Sequence, residues 1–160
     1  MLGVFNYTDF GVQNFERNSM DAKKVLRIIV AAIAITAFMT IVGAVTCGGI
    51  FSGMYKIEPI NVWKPMTGPP GAAFYIGSFI MHLIFVLVYV LLRNGIPGKN
   101  IVAKGLIFGL CVWAVGELPG MFAMYSFMTV APQVLIYWTL MGVITTPISG
   151  VIATAIYGKN

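Results

Sequence analysis

Four apolar runs, each about long enough to cross a bilayer, constrain this chain more than anything else in it. Short segments carrying most of the charge separate them. A backbone in lipid must satisfy its own hydrogen bonds, so a run of about 20 apolar residues with almost no charge reads as a spanning helix. Composition agrees. Hydrophobic residues make up 59% of the 160 and charged ones only 9%, against about a quarter in soluble domains.

The chain therefore reads as an all-α integral membrane protein, with four transmembrane helices in an antiparallel bundle and both termini cytoplasmic. Its expected parts are a cytoplasmic N-terminal segment over 1–24, a transmembrane domain over 25–157 with an external loop at 52–71, and a cytoplasmic tail over 158–160. The expected helices cover about 25–50, 72–92, 101–129 and 134–157. Sidedness follows from counting Lys and Arg at the helix ends. Arg17, Lys23, Lys24, Arg27, Arg93, Lys99, Lys104 and Lys159 fall on one side, Lys56 and Lys64 on the other. The net charge of +5 is thus topological rather than a nucleic-acid footprint.

The first 24 residues mix aromatic, acidic and basic side chains, unlike the short basic start of a signal peptide. They suit a segment lying at the headgroup level. Asn6, Tyr7 and Thr8 match a glycosylation sequon, but on the cytoplasmic side. The run ending in Thr46 and Cys47 has a faint likeness to a lipoprotein cleavage site; Thr46 stands where Gly or Ala is needed, so the span is read as uncleaved. Cys47 and Cys111 form no CxxC pair and read as inert, buried thiols.

Helices in lipid associate through close packing rather than hydrophobic drive, and small residues four apart permit it. Helix one carries Ala32, Thr36, Thr40, Ala44 and Gly48 at that spacing. Helix three carries Gly105 and Gly109, then Gly116 and Gly120, and helix four carries Gly142, Thr146, Gly150 and Thr154. Pro119 and Pro147 each lack the N–H that their helix needs, so helices three and four are expected to kink there. In the loop, Pro59, Pro65, Pro69 and Pro70 exclude a continuous helix, and Tyr55 and Trp63 suit the interface. That loop reads either as a semi-rigid cap or as a docking segment for a partner. Pro70 and Tyr75 recur as Pro132 and Tyr137, offset by 62 residues, which would fit a parallel duplication of two helix pairs.

The chemistry is sparse. Glu117 and the chain's single histidine, His82, sit within apolar runs. A carboxylate there is costly unless paired, protonated or facing water, and a histidine one helix away is the obvious partner. Tyr75, Tyr89, Cys111, Trp113 and Met121 are the side chains expected near them. Four readings stay open: structural hydrogen bonding, a proton or substrate site, a metal site, and a quinone or haem pocket. One histidine and one carboxylate are a thin ligand set for zinc, so no metal is assigned. No HExxH motif or nucleophile–base pair occurs, and a wide aqueous pore would need more polar residues.

The leading expectation is a non-enzymatic subunit or accessory protein of a membrane complex. The alternative is a small homodimeric proton-coupled transporter using Glu117, and the third a quinone- or haem-associated anchor. The bilayer, further copies of the chain or other membrane subunits are the expected partners, and nucleic acid is not; the residues name no cofactor.

Overall fold

The computed structural model describes residues 22–63 and 68–158. The segment before Ala22, the loop residues 64–67 and the last two residues lie outside the described residues, and with them most of the proposed interfacial segment and the sequon.

The described residues are helical, without strands. Four helical stretches are long and apolar enough to cross a membrane: Ala22–Ile50, Ala72–Leu92, Ile101–Phe127 and Pro132–Tyr157. The first is α1 (Ala22–Val45), widened over Thr46–Ile50 into a π turn in which Phe51 N–H donates to Thr46 O at 2.8 Å. The second is α2 (Ala72–Leu92). The third joins α3 (Ile101–Val112) to α4 (Leu118–Phe127) through a second π turn, Trp113–Glu117. Here Leu118 N–H reaches back to Trp113 O. Pro119, which has no N–H to give, follows at once, so the irregular turn sits where the regular ladder would fail anyway. The fourth is α5 (Pro132–Tyr157), with proline at its first turn, where the missing N–H costs nothing, and Pro147 inside it.

The turn after α2 is held by two devices. Asn100 caps α3, its side-chain oxygen accepting from Ala103 N–H at 2.7 Å. Gly98 adopts φ +143°, and a Cβ there would collide with the Lys104 backbone. Glycine is needed at that corner.

The first span lies between α2 and α5, α3 packs most extensively on α5, and α2 touches α5 only lightly. Rings of Phe85 and Tyr89 on α2 meet Phe108 on α3, at 4.9 and 5.4 Å between centroids. The fourth span is the most buried and the second the least. Packing of α3 on α5 is backbone against backbone. A Cβ at Gly105 would strike Val151 and Gly150, and one at Gly109 would strike Pro147 and Thr146. Gly150 meets Gly105 in return. Gly116 and Gly120, four apart on the same span, are exposed with nothing within 4 Å of their would-be Cβ positions.

Candidate functional site

Glu117 is the last residue of the π turn, and its side chain is half-buried. The Thr146 hydroxyl donates to its Oε1 in a short hydrogen bond. Helix α5 carries five Ser and Thr residues. Thr139, Thr145, Ser149 and Thr154 each turn back to the carbonyl four residues earlier, at 2.7–2.9 Å. Thr146 alone sends its hydroxyl to another helix. A hydroxyl in a helix has that local carbonyl at hand, so its departure marks Glu117 as the stronger acceptor.

Gly142, one turn before Thr146, floors the niche. A Cβ there would meet Glu117 Oε2 and the indole of Trp113, at 3.0 Å from both Cδ1 and Nε1. Trp113 Nε1 is buried and has no hydrogen-bond partner. Carboxylate, hydroxyl and an unpartnered indole N–H thus meet over one glycine. Such an orphan donor is uncommon in a buried setting and costly to keep.

His82 stands at the middle of α2, half-buried. Its Nδ1 lies 3.0 Å from Thr36 Oγ1 on α1, and Thr36 donates its proton to Ala32 O at 2.8 Å. With that proton committed, Thr36 can only accept from the ring. The arrangement therefore puts a hydrogen on Nδ1, and in the neutral ring Nε2 is then the acceptor.

His82 and Glu117 thus bond to different helices, and among the described residues no ion pair joins them. The contact pattern explains why: α2 leans on α1, whereas the third span leans on α5, so each polar group finds a hydroxyl on its own neighbour. The other side chains expected nearby scatter. Trp113 shares the Glu117 niche, while Met121 lines an apolar groove with Leu118, Pro119, Phe122 and Leu135. Tyr89 is buried against Phe108 and Tyr157, and Tyr75 and Cys111 are exposed. The burial expected of both thiols is not seen: Cys111 is exposed and Cys47 is half-buried. Among the described residues no three of His, Cys, Asp and Glu come together.

The small residues divide likewise. Gly105, Gly109, Gly142, Thr146, Gly150 and Thr154 are buried. On α1, Ala32 is buried, Thr36 and Thr40 are half-buried, and Ala44 and Gly48 are exposed.

Sequence reasoning did not find the aromatic cap at the loop end. Tyr55, Trp63 and Trp138 pack edge-on, with Tyr55–Trp63 centroids 5.3 Å apart and Trp63–Trp138 5.8 Å. Trp138 Nε1 donates to Tyr55 OH at 2.9 Å, and Cys47 Sγ lies 3.4 Å from Tyr137 OH. Burial, with the nearby Cys47 thiol adding to it, pushes the Tyr55 phenol up to about 12. The signal was available in the amphipathic pair Tyr55 and Trp63, but their partner is some 75 residues further on.

Tyr75 and Tyr137, the pair on which a duplication would rest, sit in unlike surroundings, one exposed and one buried. Comparison with protein-family models, curated proteins and solved structures finds no match.

Proposed function

We propose that this protein is a non-enzymatic subunit or accessory protein of a membrane complex. On this reading it is an antiparallel bundle of four transmembrane helices, kinked at Pro119 and Pro147, with both termini cytoplasmic. The observation that carries the reading is the contrast between two glycine pairs on one span. Gly105 and Gly109 are pressed against the α5 backbone, whereas Gly116 and Gly120, at the same spacing, are bare. The first pair displays what this device does when it has a partner, and the second, at the same spacing, meets none among the described residues. The Glu117 niche supports the reading from inside: Thr146 engages the carboxylate and holds the wide turn against α5, so that Gly116 faces out.

The test is intact mass after extraction from the native membrane in a gentle detergent, for the wild-type and for Gly116→Leu/Gly120→Leu. A heavier complex that the double substitution disperses, while the released chain keeps its own melting temperature, is the expected result. A wild-type chain that runs alone removes the reading.

A second reading has its own observation. The Glu117 niche holds a carboxylate, a hydroxyl and an unpartnered indole N–H within a span, and such intramembrane acids mark ion and substrate paths. A homodimeric proton-coupled transporter would use Glu117 as its coupling group. Carbodiimide labelling of Glu117 distinguishes the two. A transporter exposes the carboxylate alternately, so substrate should protect it; a structural carboxylate stays slow to react whatever is added.

A further inference from the structure

A second concave site lies at the opposite end of the molecule from the aromatic cap. Where α2 ends, α3 begins and α5 finishes, a cavity of about 290 Å³ opens. Arg93, Lys99 and Lys104 line it, together with the polar side chains of Tyr89, Asn94, Asn100 and Thr154. None of the lining residues is acidic. The two carboxylates among the described residues, Glu58 and Glu117, belong to the loop and to the α5 niche.

Arg93 and Lys104 are held by packing, while Lys99 is exposed at the rim. The Arg93 guanidinium carbon sits 5.1 Å from the centre of the Tyr157 ring, a cation–π contact that fixes the fork at the α5 end. Gly98 turns the chain so tightly that the loop packs on Lys104, bringing Lys99 and Lys104 to the same wall. The N-terminus of α3 opens at the cavity, so its helix dipole adds to the positive field. Three helical stretches and a glycine corner therefore converge on one positive hollow at the end of the apolar runs.

From this we infer a binding site for a phosphate-bearing anion, recognised through its phosphate oxygens by Arg93, Lys99 and Lys104. A volume near the lower end of small-ligand pockets suits one phosphate group and its immediate substituent rather than a larger molecule. Basic hollows between transmembrane helices take anionic phospholipid headgroups, and free phosphate has the same chemistry. The inference does not depend on the subunit reading, and its test involves no partner.

The full chain, delipidated in a non-ionic detergent, is titrated with phosphatidylglycerol, with phosphatidylcholine of matched acyl chains, and with inorganic phosphate. Bound adducts are read by native mass spectrometry. Phosphatidylglycerol should bind in preference to phosphatidylcholine, with affinity falling about fivefold for each cation removed. The informative variants are Lys99→Gln, an exposed substitution that leaves the packing intact, and R93Q/K99Q/K104Q. A control, K23Q/K24Q/K56Q, removes the same charge elsewhere and should keep the preference. Saturation by inorganic phosphate in competition with the lipid identifies a free-phosphate site; lipid binding without that competition identifies a headgroup site. Equal weakening in the control and in the site variants, or no preference for the anionic lipid, overturns the proposal.

Discussion

Thr146 gives up the carbonyl its neighbours use and bonds to Glu117 instead, and this one departure ties the irregular turn of the third span to α5. A hydrogen bond between membrane helices is worth about 1 kcal/mol, so Thr146→Val should lower stability by about that amount. In a double-mutant cycle with Glu117→Leu, measured by reversible unfolding in mixed micelles, the two losses should fall short of adding by a similar amount. Additive losses would mean that the bond carries no energy. Tyr55 yields a pH prediction. Its folded value, about 12, stands above the ordinary 10 of an unfolded tyrosine. The neutral phenol is therefore favoured by folding, and its contribution is whole below pH 10 and is lost as pH rises towards 12. The difference in ultraviolet titration between wild-type and Tyr55→Phe should show one phenol ionising near 12, and the wild-type should lose its stability margin over the variant between pH 10 and 12. The sequence marked Glu117 and His82 because a charge in an apolar run stands out. It could not say that each would bond to a threonine, since hydroxyls are common in these helices and only the packing of α2 on α1 and of α3 on α5 selects Thr36 and Thr146.

At the scale of elements, the α3–α5 contact is set by glycines that bring two backbones together. Gly109→Ala places a Cβ against Pro147 and Thr146, and overpacking of this kind costs about 1–3 kcal/mol. Gly116→Ala, where nothing lies within 4 Å, should leave the isolated chain as stable or slightly more so, since alanine is the better helix former. Melting temperatures of the two variants in one detergent make the comparison; equal losses would refute the packing account. The helices themselves were legible, because apolar run length and proline positions act locally. Which small-residue pair finds a backbone was not: GxxxG reads alike at 105 and at 116, and only the π turn between them, which breaks the regular face, separates a covered pair from a bare one.

Across the whole molecule, the two ends are built differently. An aromatic cap of Tyr55, Trp63 and Trp138 closes one, and a cluster of cations around a hollow marks the other. The body between them is covered within the chain mainly along α5, while most of α2 and the upper third span face outward. In lipid an outward apolar face needs no partner, so exposure alone decides nothing; a bare glycine pair beside a covered one of equal spacing is the distinguishing feature. The central claim is that the Gly116–Gly120 face packs on another membrane helix. A photo-crosslinking side chain placed at position 116 and irradiated in native membranes addresses it most directly, with the outward-facing Leu91 position as the control. A discrete adduct with a different polypeptide is expected from position 116 and none from 91. Lipid adducts alone, or adducts only with a second copy of this chain, would contradict it.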